Sequence, residues 1–251
     1  MPEGPSIVLL KEAVEQFSGK KIISVYGDTK IDKERLLNKK VLEFRTWGKH
    51  FLICFKGFTI RIHLLMFGSY SVNEKKLSKI ESGKERPVRL GLEFAKGEIN
   101  FYSCAVKIIE GKIEDTYDWS SDVMTDEWDE KKAKKKLKDI PNALICDALL
   151  NQNIFTGVGN IIKNEVLYRV RVHPESKVGK IPARKISEIV KESRIYSFQF
   201  LEWKRKYELK KHWLAHTKKI CLRCNLPFTK KYAGVNKRRS FFCTNCQVLY
   251  K

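Results

Sequence analysis

Cys221-Leu-Arg-Cys224 and Cys243-Thr-Asn-Cys246, separated by 18 residues near the end of this 251-residue chain, leave few ways for that region to fold. Each Cys-x2-Cys turn bends around one metal. Two such turns supply four thiolates in the closed tetrahedron of a structural zinc site, with no open position for catalysis. The segment 225–242 reads as a β-hairpin, with Phe228 and Phe241-Phe242 flanking the cationic stretch Lys230–Arg239. Such a hairpin is too small to hold a core alone, so the metal supplies much of its folding free energy. One structural Zn2+ held by Cys221, Cys224, Cys243 and Cys246 is therefore the expected cofactor. Cys54, Cys104 and Cys146 lie among apolar residues and read as small buried hydrophobes. An odd total without a signal peptide argues against a disulfide framework.

Charge divides the chain. Residues 1–130 carry equal numbers of acidic and basic side chains, so the whole net charge of +21 falls in residues 131–251. A neutral half followed by a cationic half reads as two modules, with a polyanion held mainly by the second. Lys230, Lys231, Lys237, Arg238 and Arg239 crowd one hairpin and suit phosphates in a groove, a solvated charged loop being the alternative. The 43% hydrophobic and 31% charged content is globular. No apolar run approaches the roughly 18 residues that span a bilayer. Met1–Pro5 has no basic n-region. The expectation is a soluble intracellular protein with no membrane partner.

Ile7, Leu10, Val14 and Phe17 recur at helical spacing, which predicts a helix over Pro5–Phe17 that stops at Gly19. Strands are predicted at Lys21–Tyr26, Val41–Trp47, Phe51–Phe55, Phe58–Leu64, Val88–Phe94 and Ile99–Tyr102, with no helices between them. That pattern is a β-sandwich or barrel, not a parallel α/β sheet. Glu114–Glu130, acidic and rich in Asp and Ser, reads as the linker. From Lys131 to about Leu214 the pattern is helical. It includes helices at Ala143–Leu150 and Asn160–Arg169, joined by Asn151–Gly159, and another beginning at Pro182–Ser193. Gly157-Val-Gly-Asn160 directly precedes an apolar helix. Backbone N–H groups at such a start suit phosphate, although a glycine-rich turn alone is commonly just a turn.

Pro2-Glu3 carries the most specific chemistry. A small residue after the initiator favours removal of Met1, and the proline nitrogen then becomes a secondary amine with a reference pKa of about 8. Such an amine is nucleophilic in water and forms an iminium with a sugar aldehyde carbon. Glu3 beside it is suited to moving protons. Met1-Pro-Glu-Gly-Pro5, Trp47-Gly-Lys-His50, His63-Leu-Leu-Met-Phe-Gly68, Gly157-Val-Gly-Asn160 and Arg238-Arg-Ser-Phe-Phe-Cys243 stand in one order along the chain. Together they resemble the formamidopyrimidine-DNA glycosylase/endonuclease VIII family over nearly the whole length.

The resemblance implies an α+β fold. An N-terminal antiparallel β-sandwich with an N-terminal helix (1–125) would carry catalysis. A helix–two-turn–helix domain (131–218) and a zinc ribbon (219–251) would follow, with duplex DNA in the cleft between the two parts. It implies a bifunctional DNA glycosylase/AP lyase of base excision repair acting on a flipped nucleotide. In that scheme Pro2 attacks C1′ and displaces the base, and Glu3 is general acid/base. The resulting iminium undergoes β,δ-elimination. Lys49 contacts phosphate and supports catalysis. Asn160 and Arg238 grip phosphates, and Arg238 also serves elimination. His63 is placed at the DNA backbone, a hydrogen-bonded strand histidine being the alternative. Leu65, Met66 and Phe67 match the wedge that fills the void left by the base, the alternative being ordinary core at a strand end.

Two departures bear on substrate. Asn100–Lys107 lacks the Arg-x-Phe of the 8-oxoguanine-type branch, and the region before the ribbon lacks a Gly-Ser/Thr-rich capping loop. Both features resemble the endonuclease VIII branch and favour oxidised pyrimidines. Ser6 stands where many members of the family carry Glu. The expected partner is double-stranded DNA containing oxidised bases or abasic sites, bound by a monomer in the cytoplasm of a bacterial host, on the nucleoid. The alternatives are a non-catalytic relative that binds damaged DNA and an RNA-binding zinc-ribbon protein.

Overall fold

Helix α1 (Gly4–Val14), extended by one 3-10 turn over Glu15–Phe17, buries the stripe Ile7, Leu10, Val14 and Phe17. The computed structural model describes residues 2–73 and 87–251. The chain divides into two units, Met1–Tyr117 and Asp118–Lys251.

The first unit is a sandwich of two four-stranded sheets. Its strands are β1 (Ile22–Tyr26), β2 (Glu43–Trp47), β3 (His50–Phe55), β4 (Phe58–His63), β5 (Ser69–Val72), β6 (Val88–Phe94), β7 (Gly97–Tyr102) and β8 (Ala105–Glu110). One sheet runs β1-β6-β7-β5 and the other β2-β3-β4-β8, antiparallel throughout. Period-two alternation decides which side chains meet. Ile60 and Ile62 enter the core from β4, while Arg61 and His63 remain partly exposed. Phe51 and Phe101, one from each sheet, meet at 5.8 Å inside a core that also takes the α1 stripe. All six predicted strands are present. The sequence reading missed β5 and β8, both edge strands. An edge strand has a partner on only one side, so Ser69, Ser71 and Lys107 are tolerated there and blur the apolar signal.

The second unit packs α2 (Glu130–Lys138), α3 (Ile145–Ala148), α4 (Asn160–Arg169) and α5 (Ala183–Arg205) with a hairpin of β9 (Thr229–Ala233) and β10 (Arg238–Phe242). Asp129 starts α2 by accepting the Lys131 and Lys132 N–H groups at 2.8 and 3.0 Å. Helix α5 continues two turns and more beyond its predicted start, because Tyr196, Phe200 and Leu201 keep its buried face going.

The expected linker, Glu114–Glu130, lies where the two units meet in sequence. The division between units falls inside it, but the segment is packed rather than solvated. Tyr117, Trp119 and Val123 are buried. Tyr117 lies 4.6 Å from Trp47, and Trp128 lies 5.9 Å from Phe155. Its acidic composition concealed aromatics placed at the points of contact.

Phe101→Ala is expected to lower unfolding stability by about 3–5 kcal/mol, the usual cost of deleting a buried ring. Leu42→Ala, at a side chain 51% exposed, is expected to cost less than about 1 kcal/mol. Urea unfolding of both variants checks the assignment of the core.

Candidate functional site

Glu3 is the N-cap of α1 and is fully buried, while Pro2 before it is half-buried. Two contacts close the helix start. The Ser6 N–H donates to the Glu3 carbonyl at 2.8 Å, and the Glu3 N–H donates to Ser6 Oγ at 3.4 Å. Ser6, buried itself, therefore holds the backbone on which Glu3 and Pro2 are carried. A glutamate there would have to fit into a space now filled by a hydroxyl.

Lys49 sits in the two-residue turn Gly48-Lys49 between β2 and β3, where Gly48 takes φ 54°. In register, His50 faces His63 across β3 and β4, their rings 5.5 Å apart edge to face. Burial, then Arg61, His63 and Lys49, push the His50 pKa down to about 3. Burial, Lys49 and Arg61 lower that of His63. Both imidazoles are thus held neutral by desolvation inside a cationic patch. The patch also holds Tyr117, whose ring lies near those of Trp47 and His50. His50, Arg61 and Tyr117 were not singled out from the sequence. The available signal was the alternation of Arg61 and His63 on one face of β4.

His63 Nδ1 accepts the Leu65 N–H at 3.2 Å, which leaves Nε2 as the protonated nitrogen of a neutral ring. Leu65 takes the left-handed φ of 51°. The loop closes with Gly68 N–H on the Leu64 carbonyl at 2.7 Å. A Cβ on Gly68 would stand 2.1 Å from that oxygen, so only glycine fits. Leu65, Met66 and Phe67 project outward, Phe67 being 73% exposed. They are not core at a strand end. Three adjacent exposed apolar side chains are costly unless they serve contact.

In the second unit, Gln152 staples the Asn151–Gly159 loop. Its Nε2 donates to the Leu150 and Val158 carbonyls at 2.8 and 3.1 Å, and its Oε1 accepts the Gly157 N–H at 3.2 Å. Asn160 Nδ2 donates to the Arg239 carbonyl at 3.0 Å. Lys163, fully buried, donates to Ser240 Oγ at 2.8 Å and to the Arg239 carbonyl at 3.4 Å. Asn164 accepts the Phe241 N–H at 3.3 Å and donates to His216 Nδ1 at 3.1 Å. Burial and Lys163 push the His216 pKa down to about 4, which keeps that nitrogen an acceptor. Helix α4 therefore grips the backbone of β10 through polar side chains. Arg238 begins β10, exposed, and its guanidinium makes no hydrogen bond or ion pair among the described residues. Its neighbour Arg239 is tied to the Tyr232 hydroxyl at 2.9 Å. Of the hairpin cations only Lys237 lies in the turn; Lys230, Lys231, Arg238 and Arg239 are on the strands.

Cys221, Cys224, Cys243 and Cys246 bring their sulfurs within 4.8 Å of one another, with 3.8 Å between those of Cys221 and Cys246. Thiolates at Zn–S distances of about 2.3 Å lie roughly 3.8 Å apart along a tetrahedron edge, so the four fit one zinc ion. Asn245 Nδ2 donates to Cys224 Sγ at 3.2 Å, and the Arg223 guanidinium stacks 3.7 Å over the Tyr168 ring beside Cys221. Both help to offset the charge of four thiolates. The purified protein is expected to hold one zinc per chain by elemental analysis, and Cys243→Ser to lose it. Full zinc retention in that variant would contradict the ligand set.

Comparison with known proteins agrees with this architecture. The formamidopyrimidine-DNA glycosylase N-terminal domain family matches residues 1–104, and the H2TH domain family of the same glycosylase matches residues 120–195. Endonuclease 8-like 3 of Xenopus laevis is 28% identical over 90% of this chain and 38% of its own length. The chain thus spans little more than a third of that relative. Formamidopyrimidine-DNA glycosylase of Lactobacillus helveticus is 28% identical across the full length of both chains. The crystal structure of the Lactococcus lactis formamidopyrimidine-DNA glycosylase, non-covalently bound to DNA containing an AP site, superposes with a TM-score of 0.83. It covers 98% of this chain and 99% of that one at 22% identity, and so shares the fold. With both domain families matched in order over most of its length, the chain belongs to the formamidopyrimidine-DNA glycosylase/endonuclease VIII family.

Proposed function

We propose that the protein is a bifunctional DNA glycosylase/AP lyase of base excision repair, with Pro2 as nucleophile. The observation that carries this reading is the head of α1, where a fully buried carboxylic acid, Glu3, directly follows Pro2 in the matched catalytic-domain family. With Met1 removed, the Pro2 nitrogen attacks C1′ of a flipped nucleotide. The glycosidic bond breaks with its electron pair going to the base, which leaves protonated. Ring opening gives an iminium that joins C1′ to the proline nitrogen. Loss of a C2′ proton then expels the 3′ phosphate, a second elimination expels the 5′ phosphate, and water releases the sugar from the proline. Glu3 moves the protons at the start of this sequence. Its place beside the Pro2 nitrogen suits it to that transfer.

Lys49 stands on the same unit, in the turn between β2 and β3, with a cationic group suited to phosphate. The neutral His63 presents Nε2–H to the DNA backbone. Leu65, Met66 and Phe67 form the wedge that replaces the everted base in the stack. The exposed Arg238 guanidinium and the second amide hydrogen of Asn160 grip phosphates, and Arg238 supports elimination. Oxidised pyrimidines are the favoured lesions, because Asn100–Lys107 carries no Arg-x-Phe. A Lactococcus lactis formamidopyrimidine-DNA glycosylase that shares the fold was crystallised with DNA containing an oxidised pyrimidine, which supports this lesion class. The setting proposed is a monomer on the duplex DNA of a bacterial nucleoid.

Glu3→Gln is expected to slow base release from a thymine glycol duplex about 100-fold or more under single turnover, while binding to an abasic-analogue duplex changes less than about threefold. Pro2→Gly is expected to lose base release in the same assay. Wild-type rates in both variants would overturn the mechanism. Tight binding by a wild-type protein that releases no base from any lesion would leave a non-catalytic relative that binds damaged DNA. Met66→Ala combined with Phe67→Ala is expected to slow release from fully paired duplex by about tenfold or more, and to spare cleavage at preformed abasic sites, where no base needs to be displaced.

A further inference from the structure

The turn of the ribbon hairpin is not free. Gly234-Val-Asn-Lys237 joins β9 to β10, closed by the Ala233–Arg238 pair and by Lys237 N–H on the Gly234 carbonyl at 3.2 Å. The carboxylate of Asp147, on α3, lies in the hollow of this turn. It accepts the Val235 N–H at 3.0 Å, the Asn236 N–H at 3.4 Å and the Asn236 side-chain amide at 3.2 Å. Gly234 makes room for it. That residue takes φ 74°, and a Cβ there would stand 2.3 Å from both carboxylate oxygens. The base of the clamp is firm. Ile145 and Cys146 are buried, and their N–H groups donate to the Ser176 and Pro174 carbonyls at 2.9 and 3.1 Å.

We infer that Asp147 is a positioning residue that fixes the hairpin turn and thereby aims the Arg238 guanidinium at its phosphate. The inference rests on the phosphate role of Arg238 under Proposed function. Beyond Arg238, β10 is held at Arg239, Ser240 and Phe241 by the polar side chains of α4. The clamp therefore holds one side of Arg238 and α4 holds the other. Without Asp147 the turn and the first pair of the ladder fray together, and Arg238 must be ordered at the cost of binding free energy. Arg239 has its own anchor in Tyr232, so it is less affected.

The test is a double-variant cycle in full-length, zinc-loaded protein. Binding is measured by anisotropy on a duplex with a tetrahydrofuran abasic analogue, over a range of salt. Asp147→Ala is expected to retain one zinc, to weaken binding about tenfold, and to lower the slope of log affinity against log salt by about one. Arg238→Ala is expected to do the same, and the double variant to bind no more weakly than Arg238→Ala alone. Asp147→Asn, which keeps one acceptor oxygen, is expected to fall between wild type and Asp147→Ala. Gly234→Ala leaves the carboxylate in place but expels it from the turn. It is expected to reproduce the Asp147→Ala result, and it serves where Asp147→Ala loses zinc. Losses that multiply in the double variant, or an unchanged salt slope in Asp147→Ala and Gly234→Ala, would overturn the clamp while leaving the phosphate role intact. An Arg238→Ala variant that binds like wild type would overturn that role and the clamp with it.

Discussion

Helix α4 buries Lys163, Asn164 and Glu165 in a run, and the second unit is organised by how those groups are satisfied. An unpaired buried amine or carboxylate costs several kcal/mol, of order 3–5 when one partner is removed. Each is matched by a chain segment distant in sequence. Lys163 and Asn164 take the backbone and hydroxyl of β10. Glu165 accepts the N–H groups of Leu214, Ala215 and His216 at 2.9, 2.9 and 2.7 Å. Burial raises the Glu165 carboxyl above its ordinary range, and the three amide donors oppose that by holding the charged form. The helix is thus a polar spine. Within one turn, Lys163 and Asn164 set the hairpin and Glu165 sets the approach to the ribbon, and Asn160 at the helix start belongs both to this spine and to the proposed phosphate grip.

The spine and the four-cysteine cluster divide the work of a hairpin with little core of its own. Four cysteines hold its base, α4 holds its second strand and Asp147 holds its turn. The cationic side chains are left at the surface, where phosphate binding requires them. The first unit solves a different problem. Its apolar core fills the space between the two sheets and beneath α1, which leaves the outer face of the β2-β3-β4-β8 sheet for His50, Arg61 and His63, with Lys49 in the adjoining turn. Desolvation keeps those imidazoles neutral, so the positive potential there comes from lysine and arginine, whose charge does not change near neutral pH.

How much of this was legible in the sequence follows from where each interaction lies. Elements stabilised by their own periodicity could be read directly. The α1 stripe, the alternation of β4 and the Asn160–Arg169 helix are examples, and the Cys-x2-Cys pairs state their chemistry by spacing alone. Pro2, Glu3, Lys49 and the proposed wedge were singled out by motif resemblance, and the exposure of Leu65–Phe67 then excluded the competing reading as core. The packing of the linker was hidden because Tyr117, Trp119 and Trp128 sit within an acidic stretch whose average conceals them. The buried charges of α4 and the Asp147 clamp were invisible for one physical reason. Their partners lie about 50 to 90 residues away and are largely backbone groups, which carry no sequence signal.

In the proposed mechanism the Pro2 nitrogen forms a covalent iminium with the sugar at a lesion. Borohydride reduction during reaction with matched duplexes carrying thymine glycol, 8-oxoguanine or an abasic site tests it most directly, followed by peptide mapping of the cross-link. The account predicts a trapped adduct on Pro2, formed on the abasic duplex and more readily with thymine glycol than with 8-oxoguanine. No adduct on any duplex from protein with Met1 removed, or an adduct on a lysine instead, would contradict it.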